Sequence, residues 1–302
     1  MDTKVKIAKL ELKNPITVAS GTFGYGQEFK EIIDLNDIAA IITKTITPFA
    51  REGNSAPRII EASSGMINSI GLENQGLDDF LKYKLPQLRK LKTKTIVSIA
   101  GFSKRDFIVL AQELNTSGVD AIELNLSCPN LNKKIIAQDI KLTAKAVSAV
   151  KKYTKKTLIV KLSPNVTDIA ELAFIAQDCG ADAVSLVNTF SAMAIDIIKR
   201  KPALGNIVGG LSGPAIKPMA IKMVFDVFKK IRIPIVGVGG IADFKDALEF
   251  MMAGAKVVSV GSINFVNPKA SLEIASGIKN YMRKNKIKNI NRIIGCAHEK
   301  NN

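Results

Sequence analysis

Short runs of β-branched and aliphatic residues alternate with longer amphipathic stretches along the chain. The short runs are ITVAS (16–20), AAIITK (39–44), TIVSIA (95–100), AIELN (121–125), TLIVKL (157–162), AVSLVN (183–188), PIVGVG (234–239) and KVVSVG (256–261). They are nearly continuous in apolar character, the pattern of strands buried on both faces in a parallel sheet covered by helices. Between them the period lengthens. KRDFIVLAQELNTSG (104–118) carries apolar residues at helical spacing and closes on Gly118. TDIAELAFIAQDCG (167–180) opens with Thr167 as the expected N-cap and ends at Gly180. IKPMAIKMVFDVFKKI (216–231) and DFKDALEFMMAG (243–254) repeat the pattern. Eight strands alternating with helices predict an α/β fold, a (β/α)8 barrel of the TIM type. No linker or low-complexity tract divides the 302 residues, so one domain over 1–302 is expected.

Barrel enzymes build their sites just past the strand ends, so those positions matter most. In chain order they are Ser20-Gly21, Lys44-Thr45, Gly101, Asn125 to Cys128, Lys161, Asn188-Thr189, Gly239-Gly240 and Gly261-Ser262. Glycines after the last two strands let the backbone approach an anion closely, and a helix N-terminus beyond offers free N–H groups. GGLSGPAIKP (209–218) adds a third such turn at Gly213. Together they predict a phosphate seat. Lys44 and Lys161 end otherwise apolar strands, where an ammonium is costly unless it meets an anion or acceptor. A cation fixed beside a flavin's pyrimidine ring would stabilise negative charge on the reduced form. Asn68, Asn125, Asn130 and Asn188 offer donor and acceptor together, which suits a ring of alternating C=O and N–H groups.

Composition narrows the chemistry. The chain has three cysteines, Cys128, Cys179 and Cys296, with no CxxC pair, too few for an iron–sulfur cluster held by four thiolates. Cys179 falls in a helix and reads as a small core residue. Cys128 follows a strand end, and the only histidine, His298, is near the carboxyl end. A thiol whose pKa is lowered by a polar, cationic site can abstract a proton, so Cys128 is the candidate base. The net charge of +16 invites a nucleic-acid reading. But the lysines are scattered, with no Trp and four Tyr to stack on bases. The amino-terminal MDTKVKIAKLEL lacks a signal-peptide apolar region, and no apolar run approaches the roughly 20 residues of a membrane span. A cytoplasmic protein with no membrane association and no nucleic-acid partner is expected.

The segments NPITVASGTFGYGQE (14–28), NSIGLENQG (68–76), ELNLSCPN (123–130), VKLSPNV (160–166), VNTF (187–190), GGLSGPAIKP and GVGGI (237–241) together resemble class 1 dihydroorotate dehydrogenases of the B type. The resemblance implies an FMN-bearing barrel, one FMN per chain, that oxidises dihydroorotate to orotate in pyrimidine synthesis. It implies that Cys128 removes a proton from substrate carbon 5 while hydride leaves carbon 6 for the flavin. Substrate positions matched are Lys44, Asn68, Ser69, Ile70, Gly71, Leu72, Asn125, Asn130, Asn188 and Thr189. FMN positions matched are Ser20, Lys44, Thr45, Asn125, Lys161, Val187, Gly213, Gly239, Gly240, Gly261 and Ser262. Ser98 stands near the flavin where the family often has asparagine, a shorter group for that contact. By the same resemblance, a partner subunit carries FAD and the iron–sulfur cluster and passes electrons to NAD, two copies of each subunit forming a heterotetramer.

The family's usual glycine pair after CPN is replaced by LNKKIIAQD (131–139), which should restrict a lid and slow turnover. Other readings are a related flavoenzyme for uracil-like rings and a partner-free A-type enzyme using fumarate. A phosphate-binding isomerase and a basic RNA-associated protein stand further off.

Overall fold

Runs dominated by Ile, Val and Ala need cover on both faces, and all eight find it. The computed structural model describes residues 1–127 and 136–298. Its parallel strands are β1 (Ile16–Val18), β2 (Ala40–Ile42), β3 (Lys94–Ile99), β4 (Ala121–Asn125), β5 (Thr157–Lys161), β6 (Ala183–Leu186), β7 (Ile235–Val238) and β8 (Ala255–Val260). Each pairs with its neighbours in chain order, and β8 returns to β1 to close the barrel.

Helices clothe the outside. A helical segment over 76–88 follows β2, and Lys104–Thr116, Ile140–Tyr153 and Ile169–Asp178 follow β3, β4 and β5. Lys217–Lys230, Phe244–Met252 and Ala270–Lys284 follow β6, β7 and β8. The expected cap Thr167 is displaced by one residue. Asp168 caps the helix instead, its carboxylate accepting from the N–H groups of Ala170 (2.8 Å) and Glu171 (3.1 Å), two end amides that one short acidic side chain can reach. No helix among the described residues is long and apolar enough to cross a membrane.

Two additions frame the barrel. An amino-terminal hairpin, Val5–Ile7 with Leu10–Leu12, buries its alternate residues Val5, Ile7, Leu10 and Leu12 in the core. At the other end a four-stranded antiparallel sheet runs in the order Phe190–Ala192, Gly209–Ser212, Gly65–Asn68, Ile59–Ala62. It joins chain that leaves β2 to chain that leaves β6.

Candidate active site

Parallel strands bring their carboxyl ends to one rim, so residues distant in sequence share a mouth. Two residues apart on β4, Glu123 and Asn125 face the same side, and both point into the barrel. From beyond β1, Ser20 Oγ donates to Glu123 Oε1 at 2.9 Å. Lys161 Nζ, at the end of β5, donates to Ser20 Oγ at 3.1 Å. Ser98 Oγ, from β3, donates to the same Glu123 oxygen at 3.1 Å and lies 2.9 Å from Thr45 Oγ1. Asn125 Nδ2 reaches Thr45 Oγ1 at 3.4 Å. Asn188 Nδ2 donates to Ser127 Oγ at 2.8 Å and to Asn125 Oδ1 at 3.4 Å. The Ser127 N–H donates to Asn125 Oδ1 at 3.1 Å. One hydrogen-bonded chain thus runs through residues from β1 to β6.

The cations are placed as loose ends of this chain. Lys161 is 6% exposed, and Ser20 is its one partner among the described residues. An ammonium carries three donors, so Lys161 keeps two for a ligand. Lys44 is half-buried, with its backbone N–H held by Gly24 O at 2.9 Å and no partner for its ammonium among the described residues. Ser98 is wholly enclosed; what it contributes to the mouth passes through Thr45 and Glu123. Val187 is buried and ties β6 to β7 by its N–H to Val238 O at 2.8 Å.

The antiparallel sheet brings a second wall. Asn68 pairs in register with Gly210 and donates from Nδ2 to its carbonyl at 3.2 Å. A Cβ at Gly210 would collide with Thr189 Oγ1, so the bare glycine lets Thr189 settle beside Asn68. Thr189 N–H is held by Asn188 Oδ1 at 2.8 Å. Downstream, Ser69 Oγ accepts from Asn54 at 2.9 Å and Asn206 at 3.2 Å. Ile70 is half-buried, and Gly71 and Leu72 turn with positive φ (75° and 58°). Buried Asn74 pins this turn: its Nδ2 donates to Leu72 O at 2.7 Å and Thr47 Oγ1 at 2.9 Å. Its Oδ1 accepts from the N–H groups of Gly76 (2.8 Å) and Thr47 (3.2 Å). Asn74→Ala leaves the buried N–H groups of Thr47 and Gly76 unpaired, and is expected to cost about 2–3 kcal/mol of stability. It should also raise KM more than it lowers kcat. Urea unfolding and steady-state kinetics check both, and an unchanged KM would separate Asn74 from the 68–72 segment.

The glycine turns complete the mouth. Gly239 and Gly240 follow β7 with φ of 132° and 74°, and Gly261 follows β8 just ahead of Ser262–Phe265. Gly213, at φ 101°, precedes Pro214–Ile216 and the helix Lys217–Lys230. A Cβ on Gly240 would strike Gly213 O and Lys217 N, so these two turns pack together. Gly261 differs: an added Cβ would meet only Ala19 Cβ, at 3.9 Å. The amides of Gly240, Gly261 and Ser262 donate to no acceptor among the described residues.

Asp246 braces the turn after β7. It accepts from the N–H groups of Ala242 (2.8 Å) and Asp243 (3.2 Å) and from Lys217 Nζ (2.6 Å). Burial pushes its pKa up, but the Lys217 and backbone hydrogen bonds outweigh that and hold it below the usual carboxylate range. A depressed folded-state pKa contributes stability above the unfolded value, lost as pH falls through the folded one. Asp246→Asn should therefore be less stable than wild type at pH 7, with the gap closing below about pH 3.9. Urea midpoints at pH 7 and pH 3 test this; a constant gap would contradict it.

Cys128 and Asn130 lie outside the described residues, as do 131–135 of the expected lid. Ile136–Gln138 form a short helical turn, and Asp139 caps the helix that follows. His298 is remote from the mouth: its ring stacks on Phe225 (3.8 Å) and its Nε2 is 2.9 Å from Ala253 O, at the amino end of β8. Cys179, expected as a core residue, is instead the half-buried cap at the end of its helix, packed against the core from outside. Glu123, Ser127 and Asn74 were not read from the sequence as site residues. For Glu123 a signal existed, a carboxylate inside a strand whose neighbours are all apolar.

Known proteins agree with this layout. Residues 2–282 match the family model described as dihydroorotate dehydrogenase. A Thermoanaerobacter sp. (strain X514) protein is 50% identical over 300 residues, covering 98% of each chain. A Caldicellulosiruptor bescii protein is 50% identical over 99% of this chain and 100% of its own, and one from Carboxydothermus hydrogenoformans is 50% identical over 99% and 98%. All three are named dihydroorotate dehydrogenase B (NAD(+)), catalytic subunit. With its barrel, its rim chemistry and these near-full-length matches, the chain belongs to the dihydroorotate dehydrogenase family, among its class 1, B-type members.

Proposed function

We propose that this chain oxidises dihydroorotate to orotate in pyrimidine synthesis, using one FMN in the barrel mouth and passing electrons toward NAD through a partner subunit. The observation that carries the proposal is Lys161, a buried ammonium at the mouth of a family-type barrel whose one partner among the described residues is the Ser20 hydroxyl. Such a group is stable only where an acceptor arrives.

FMN fits the residues present. Its phosphate suits the unclaimed amides of Gly240, Gly261 and Ser262, bordered by Gly213 and Gly239. Its ring suits the donors and acceptors of Ser20, Thr45, Asn125 and Lys161, with the chain at Val187 alongside and Ser98 acting through Thr45. FMN, when bound, supplies the two-electron acceptor for the hydrogen leaving carbon 6. The substrate's carboxylate suits the Lys44 ammonium, which has no partner among the described residues. Its ring amides suit Asn68, Asn125, Asn130, Asn188 and Thr189, with the Ser69–Leu72 turn closing over it. Cys128, the base that the family resemblance implies, takes the proton from carbon 5.

The names of the relatives support a separate electron-transfer subunit. We assign FAD and the iron–sulfur cluster to it, in an assembly of two plus two. The test is spectral. The purified chain should be yellow, and anaerobic dihydroorotate should bleach it. A colourless protein, or a flavin untouched by dihydroorotate, overturns the reading. Equal bleaching by a neutral dihydropyrimidine would move the substrate, and fumarate turnover by the chain alone would remove the partner.

A further inference from the structure

Glu123 sits at the centre of the hydrogen-bonded chain and takes no part in the reaction just described. It is 1% exposed, inside the barrel on β4, and two hydroxyls converge on its Oε1. A carboxylate accepts only, and a hydroxyl has one hydrogen to give. The Ser20 hydrogen goes to Glu123, which turns the Ser20 lone pairs toward Lys161. The Ser98 hydrogen also goes to Glu123, so Ser98 Oγ takes the Thr45 hydrogen, and Thr45 Oγ1 is left to accept from Asn125. Every bond runs down toward the one anion. No direct ion pair joins Glu123 to Lys161, so the ammonium is held across Ser20, with its other N–H groups uncommitted among the described residues.

We propose that Glu123 is a positioning residue and the fixed counter-charge of the mouth. It aims Lys161 through Ser20, orders Thr45 and Asn125 through Ser98, and offsets the positive potential at the flavin ring. The proposal rests on the flavin reading above and adds a residue to it.

Glu123→Gln keeps the shape and removes the charge. With FMN bound to the full chain, the proportion of reduced flavin is read anaerobically at a fixed dihydroorotate/orotate ratio, an equilibrium rather than a rate. Losing a buried negative charge from the mouth should shift that equilibrium toward reduction, by roughly tenfold if the separation is on the order of 10 Å. A purely structural role predicts no such direction. An unchanged equilibrium, or a shift toward oxidation, overturns the counter-charge. Should Glu123→Gln fail to fold, Ser98→Ala keeps the carboxylate and cuts one arm. It is expected to weaken orotate binding roughly tenfold, read from the flavin absorbance, and unchanged affinity overturns that arm. A wild-type chain that binds no FMN would instead remove the flavin reading itself, a result distinguishable from either variant's.

Discussion

Cys128→Ala, purified with its flavin, is expected to stay yellow and to be reduced by dihydroorotate about 10²–10⁴-fold more slowly than wild type. The colour should persist because the proposed FMN seat is built from other residues, at or just past the ends of β1, β2, β4, β5, β6, β7 and β8. The rate should fall because the carboxylate described at the mouth, Glu123, is enclosed and already accepts from Ser20 and Ser98. His298 is stacked on Phe225 at the opposite end of the barrel, and Cys179 ends an outer helix. The chain is firmly held up to Ser127. Ser127 is tied through its N–H to Asn125 and through its hydroxyl to Asn188, anchoring it to β4 and to the end of β6. Cys128→Ser should be slow at neutral pH and recover as pH rises, since a hydroxyl deprotonates far less readily than a thiol. Stopped-flow flavin reduction measures both variants, and an alanine variant at the wild-type rate takes the proton transfer away from Cys128.

Lys161→Met is expected to weaken both the protein and its hold on the cofactor. In the chain without ligand, the ammonium offsets the buried Glu123 carboxylate across Ser20, and removing one partner of a buried charge pair is destabilising. The apoprotein should thus melt at a lower temperature. FMN binding should weaken by about 10–100-fold, the worth of a charge-assisted hydrogen bond of about 1.5–3 kcal/mol. Fluorescence titration of FMN and a melting curve separate the two. A variant that binds FMN as tightly as wild type would show that Lys161 answers to some other acceptor.

Much of this architecture was legible in the sequence because parallel strands buried on both faces leave uninterrupted apolar runs. The rim was legible for the same reason: a lysine, amide or glycine ending such a run stands out. What escaped notice has the opposite character. The antiparallel sheet over the mouth is built from segments such as GMIN and GGLS, half-exposed and glycine-rich, with no periodicity to mark them. The ITVAS run stops pairing as a strand at Val18, and Ser20 lies beyond it, ahead of Gly21 at φ 87°. Only the closed barrel shows that Ser20 then meets Glu123 from the far side. Glu123 itself was passed over as a strand residue, because periodicity does not say which face of a doubly buried strand looks inward.

The antiparallel sheet has a practical consequence for anyone wishing to retool this enzyme for another heterocycle. Gly65–Asn68 is zipped to Gly209–Ser212, and that strand to Phe190–Ala192, so the Asn68 and Thr189 edges of the mouth are laced into one fabric. Grafting either loop alone from a cousin of different taste would tear the ladder that seats both. The two stretches form a single transplantable module, to be exchanged together.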